Sequence, residues 1–268
     1  MTARRSAVHL VRSILCPVDF STHARVALQH AVAIAHRTDA ALTVMYADDP
    51  MLAAAAAAGY NQPLLTKQTT RELKRLLTRV GVPIDDDPTA ARIVTAIGRP
   101  AGEILKTARR VAADVIVMGS QGRSGAGKMF FGSVTEHVLR KTSVPVLAVP
   151  LTSPVRTLDS WPAGNIVCAV ELGPRAPDDV RAAAEMARAF DCGLTLVHVV
   201  SPMRRQPWLG RMLRARDREQ LKSARQKLEK LARGVRRLVA GGVGTQALLG
   251  HPAQEIAAVA SDLRASLI

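Results

Sequence analysis

The residues with the most chemical potential lie in one run, Gly119-Ser-Gln-Gly122-Arg-Ser-Gly-Ala-Gly-Lys-Met-Phe-Phe-Gly132-Ser133-Val-Thr135. The apolar stretch Val115-Ile-Val-Met118 precedes it, and a helix-patterned stretch, 134–141, follows. Strand, glycine-rich loop and helix start, in that order, make a cradle for a phosphate chain. Glycine lets the backbone come close to an anion. The N–H groups of a helix N-terminus have no intrahelical acceptor and favour negative charge. The first half of the chain therefore reads as a nucleotide-binding α/β domain.

Two spacings compete inside that run. Gly122-x4-Gly127-Lys128 follows the P-loop pattern until Met129, which stands where a Ser or Thr hydroxyl would hold Mg²⁺. Phe130 and Phe131 then fall where a helix should already be running, and Gly132 interrupts it. The second spacing, Gly119-x2-Gly122-x9-Gly132-Ser133, puts Gly132-Ser133 at the helix opening and fits better. Other residues accompany it: Pro17-Val-Asp19 after the first apolar run, Gly132-Ser-Val-Thr-Glu136 at the last helix, and Lys141-Thr-Ser-Val-Pro-Val146 entering the last strand.

Together these residues resemble the tandem, ATP-binding universal stress proteins. The resemblance covers essentially 10–150 and, more weakly, 164–268. It implies a five-stranded parallel sheet of order 3-2-1-4-5, with the ligand in the crevice where strand order reverses. Asp19 follows strand one and Gly119 follows strand four, so the two sides of that crevice come from distant parts of the chain. By the same resemblance, Pro17, Val18 and Asp19 line the adenine and ribose site, and Ala47 meets the adenine. Gly119 approaches the ribose, Gly122, Gly132 and Ser133 hold phosphates, and Val134 follows at the helix opening. Arg123 and Lys128 are added from their charge, as loop cations able to neutralise phosphate. The implied cofactor is ATP, with or without Mg²⁺. Simpler roles stay open for single residues: Asp19 or Ser133 as a helix cap, Gly119 and Gly122 as a plain turn.

A 268-residue chain accommodates one large or two medium domains. Three pairs of segments match at one offset of 152 residues: Ile14-Leu-Cys16-Pro-Val-Asp19 with Ile166-Val-Cys168-Ala-Val-Glu171, Asp39 with Asp191, and Gly98-Arg-Pro100 with Gly250-His-Pro252. A constant register of this kind marks a duplicated domain. The expected fold class is α/β, with two tandem doubly wound parallel-sheet domains at 1–152 and 163–268. Expected strands in the first copy are 13–18, 41–47, 91–97, 114–118 and 146–149. Expected helices are 22–35, 67–80, 100–111 and 133–141. The alanine run 51–59 is a candidate lid, and Asp159-Ser-Trp-Pro-Ala-Gly164 is the expected linker. The second copy is expected to be incomplete, without the glycine loop, last helix and last strand. With Glu171 for Asp19 and Gly173-Pro174 for Ser21-Thr22, it is expected to hold no nucleotide.

The formal charge is +15, and residues 201–237 hold thirteen Arg or Lys against three acids. Leu221, Ala224, Leu228, Leu231, Val235 and Leu238 recur there at helical spacing, so this is read as an amphipathic helix with its charges in solvent. Nucleic acid or an anionic membrane surface, reached through 204–237, is the less favoured use of the charge. The three cysteines fit neither a disulfide framework nor a metal spacing and read as core thiols. No catalytic set is recognised; His23 and His137 read as structural or solvent-facing, so the protein is not expected to be an enzyme. No secretory leader or membrane span is recognised, which makes the cytoplasm the expected location. The first expectation is thus an ATP-binding stress-response regulator. The alternatives are an interaction module and, less favoured, a P-loop-like NTPase. Homo-oligomers are expected through the strand 146–149.

Overall fold

Short runs of Val, Ile, Leu and Met form the strands, and they are continuously apolar because helices cover both faces of a parallel sheet. The computed structural model describes residues 11–51, 53–54, 62–82, 91–121, 131–153, 164–202 and 210–268. The chain divides into two compact units, Met1–Trp161 and Pro162–Ile268. The first unit contains β1 (Ser13–Pro17), α1 (Thr22–Thr38), β2 (Ala41–Asp48), α2 (Gln62–Arg79), β3 (Arg92–Ile97), α3 (Pro100–Arg110), β4 (Val115–Gly119), α4 (Ser133–Lys141) and β5 (Val146–Val149). The second contains β6 (Asn165–Ala169), α5 (Ala176–Phe190), β7 (Gly193–Val200), α6 (Gly210–Val235), β8 (Val243–Leu249) and α7 (Pro252–Asp262).

The first sheet has the order β3-β2-β1-β4-β5, and all its pairings are parallel. On one face Leu15, Met45, Ile116 and Met118 pack against Ile104 and Ala108 of α3 and Val138 of α4. The alternate residues Ile14, Cys16, Val44 and Val117 are equally buried and point the other way. There α1 packs across β1, β4 and β5, and α2 contacts β3. Order reverses between β1, which continues through β2, and β4, which continues to β5. That reversal leaves the carboxyl ends of β1 and β4 side by side with their loops diverging.

The second unit repeats this geometry. Its sheet runs β6-β7-β8, with one further parallel bridge from Ile166 to Leu267. Ser13 pairs with Ala41, and Asn165 pairs with Gly193, at the same offset. Asp39 and Asp191 both close their helices in the left-handed region, at φ 57° and 56°. Pro100 and Pro252 both open helices, where a missing N–H costs nothing. The carboxyl side chains of Glu103 and Glu255 fold back over Gly98 and Gly250, so a side chain at either glycine would have to displace them. The repeated Gly-x-Pro-x-x-Glu spacing therefore has one packing cause in both units.

Some boundaries differ from the sequence reading. Helix α2 begins at Gln62 rather than 67, and β2 extends through Asp48. In α6, Ala224, Leu228, Ala232 and Val235 form the buried stripe. Leu238 is exposed, because a 3₁₀ turn at Arg236–Leu238 shifts the phase and Val239 takes the inward place. Lys222, Arg225, Lys227, Lys230 and Arg233 are exposed, as an amphipathic helix requires. Cys16 and Cys192 are buried free thiols. Burial pushes the Cys16 thiol far up, and it carries half-buried Cys168 to about 11, with the charge of Asp179 adding to the rise.

Candidate functional site

The crevice is built from strand ends. β1 leaves the sheet at Pro17, and the Val18 N–H donates to Met45 O at 2.9 Å, so the turn after β1 is held against β2. Asp19 then accepts from the Ser21 N–H at 3.0 Å, and Ser21 Oγ accepts from the Ala24 N–H at 3.1 Å. Ser21 is therefore the N-cap of α1, while Asp19 shapes the turn one step earlier and also lines the crevice.

On the opposite side, β4 ends at Gly119. A side-chain carbon there would sit 3.0 Å from the His23 backbone carbon and 3.0 Å from the Gln121 carbonyl oxygen. Only glycine lets β4 run this close to the first turn of α1. His23 backs Gly119 and is not among the crevice-lining residues; His137 is exposed on α4. The Ser120 N–H donates to Val149 O at 2.9 Å, and the Gly132 N–H donates to Ser120 O at 2.8 Å. Buried Thr135 donates its hydroxyl to Gly119 O at 2.9 Å. These bonds fix the start of α4 onto the end of β4.

Gly132 is the N-cap of α4 and supplies no side-chain bond; Ser133 is the first helical residue. Glu136 donates the first helical bond, to Gly132 O. The N–H groups of Ser133, Val134 and Thr135 thus lie at an open helix start and face a cavity of about 300 Å³ lined by those residues. Of the residues the sequence reading named, Pro17, Val18, Asp19, Ala47, Gly119, Gly132, Ser133 and Val134 all line this one cavity. Gly122, Arg123 and Lys128 lie outside the described residues, as does most of the alanine run.

The sequence reading missed the cavity's apolar half: Met45, Tyr46, Pro100, Ile104 and Met118. Their signal was hidden, because strand-end Met and helix-start Pro look like ordinary core and capping positions. Thr135 was also missed, although a Thr two residues after the Gly-Ser pair is placed to bond back to the strand. Next to Ala47, Asp48 is buried and raised from the usual carboxylate range by that burial; the Thr69 hydroxyl, 3.3 Å away, pulls the other way.

The crevice thus joins an apolar wall to an open helix N-terminus across the strand-order reversal, and comparison with other proteins places it in a family. The sequence pattern of the universal stress protein family matches residues 11–150 and 163–268. This chain belongs to the universal stress protein family. Both units of this universal stress protein fall within the match, as the tandem reading expected. Universal stress protein MJ0577 of Methanocaldococcus jannaschii is 28% identical over 154 residues, covering 52% of this chain and 95% of that one. A Thermus aquaticus universal stress protein is 32% identical over 148 residues, covering 52% of this chain and 99% of the other. A solved universal stress protein of Archaeoglobus fulgidus is 18% identical with a TM-score of 0.61 over 94% of this chain and 84% of that one, a likeness of fold.

Among the described residues no helix is long and apolar enough to cross a membrane. Also among them, no group of three or more His, Cys, Asp or Glu is placed to hold a metal ion.

Proposed function

We propose that this universal stress protein is an ATP-binding regulator whose nucleotide sits in the crevice of the first unit. The observation that carries the proposal is the pairing of an apolar wall with an open α4 N-terminus in one cavity. Tyr46 and Pro100 offer a surface for a flat base, with Met45, Ile104 and Met118 lining the cavity from the core, and the Ala47 backbone lies near the end of β2. Asp19 accepts hydrogen bonds suited to a ribose hydroxyl. Ser133 and Val134, just after Gly132, offer N–H groups to phosphate oxygens, in a helix dipole that favours negative charge. Arg123 and Lys128 are assigned to neutralise the remaining phosphate charge. The residues present therefore fit an adenine nucleotide in both its apolar and its anionic part.

In this reading the activity is binding rather than turnover. Occupancy of the crevice alters a partner surface. The second unit carries Glu171 in place of Asp19 and takes no ATP. The edge strand β5 is assigned as a pairing surface for a second copy. Thermal denaturation with and without millimolar ATP tests the nucleotide, and mass spectrometry of small molecules carried by the purified protein tests its identity. The proposal expects a raised melting temperature and a bound adenine nucleotide. A folded protein whose melting is unmoved by ATP contradicts it.

A further inference from the structure

The turn that brings Asp19 into the crevice also lines a second cavity, of about 280 Å³, through Phe20 and Ser21. This cavity lies between the first turns of α1 and the second half of α2 and shares no lining residue with the crevice. Arg25 of α1 and Arg75 and Arg79 of α2 converge on it. Its one carboxylate, Glu72, is paired with Arg75 at 2.6 Å. Among the described residues Arg25 and Arg79 have no ion pair, so the cavity keeps an excess of positive charge. Guanidinium groups carry planar forks of donors that match phosphate oxygens, which ammonium groups do not.

An apolar wall stands beside these cations. Phe20 is held at φ 61°, a conformation that is strained for a bulky residue, and it is 42% exposed. Tyr46 supports its ring with centroids 4.9 Å apart, and Leu76 faces the same cavity. The fold itself does not demand these residues. At the constant offset, the second unit has Leu172 for Phe20 and Pro177 for Arg25.

We propose that the cavity between α1 and α2 binds a small phosphate-bearing ligand with an aromatic or apolar part. Arg25, Arg75 and Arg79 hold the phosphate oxygens, and Phe20 and Leu76 pack against the rest. The site shares no lining residue with the crevice, and the two touch through the Phe20–Tyr46 contact. Phenyl phosphate is the simplest probe carrying both features, and inorganic phosphate is its control.

The test is a titration of the ¹⁵N-labelled full chain, following arginine Nε–H signals and the Ser21 and Thr22 amides. The expected result is saturable shifts of the Arg25, Arg79 and Thr22 signals, with inorganic phosphate acting at the same place more weakly. Arg25→Gln and Arg79→Gln, both surface changes, should each weaken phenyl phosphate about tenfold, the scale of a lost charge-assisted bond. Ser133→Ala in the crevice should leave this binding unchanged. Shifts confined to Gly119 and Ser133, or glutamine variants that bind phenyl phosphate like the parent, would overturn the proposal.

Discussion

Gly119 sits where β4, α1 and the crevice meet, so it is sensitive to a single methyl group. Gly119→Ala puts a carbon 3.0 Å from the backbone of His23, and neither backbone can yield cheaply. We expect a loss of about 1–3 kcal/mol, the usual cost of overpacking, measured by urea denaturation. The same change should abolish the ATP-induced rise in melting temperature. Thr135→Val keeps the shape and removes the bond to the buried Gly119 carbonyl. It should cost about 1–3 kcal/mol, and Thr135→Ser should recover most of it. His30 gives a pH signature. It is buried in α1, and burial lowers its pKa below the usual 6.5. The unfolded chain therefore takes up a proton before the folded one does. Stability should fall as pH drops below about 6.5, and His30→Gln should flatten that slope in pH-dependent denaturation.

At the scale of elements, the start of α4 sets protein stability against ligand binding. The helix lacks a side-chain cap because Gly132 occupies that position. Gly132→Asp offers a carboxylate to the same N–H groups and should stabilise the fold by a few tenths of a kcal/mol. It should also remove ATP binding, since the new negative charge lies where phosphate is proposed to sit. A variant that melts higher yet no longer responds to ATP is the expected pattern in a thermal scan.

Elements were also where the sequence was most and least readable. The order of strands and helices followed from apolar runs, from Pro100 and Pro252, and from the constant offset of 152 residues. Helix α2 starts five residues before the sequence reading places it, although Asn61-Gln-Pro63 has the residue types of a helix start. Leu238 was misplaced because a 3₁₀ turn breaks the 3.6-residue period, which no pattern in the sequence marks. For the site, the glycine spacing picked out Gly119, Gly132 and Ser133, which line the crevice at the start of α4. The apolar half stayed hidden, since Met45, Ile104 and Met118 are also members of the core cluster and have the same residue types.

At the scale of the molecule, one fold unit has been used twice with different chemistry. Sheet register, the left-handed C-caps Asp39 and Asp191 and the Glu–Gly packing agree between the units, so these features belong to the fold. The crevice residues do not agree: Glu171 replaces Asp19, and His198 replaces Tyr46, with its Nδ1 2.7 Å from Val170 O. The positive charge is likewise uneven, concentrated on the outer face of α6 in the second unit. Since those lysines and arginines are solvated there, retention on a cation exchanger should fall steeply as the salt concentration is raised.

The central claim is one nucleotide site per chain, in the first unit. Isothermal titration of this chain with ATP addresses it directly, with Gly132→Asp as the matched control. The account predicts close to one ATP bound per chain, and no measurable binding in the variant. Two ATP per chain, or binding that survives unchanged in Gly132→Asp, would contradict it.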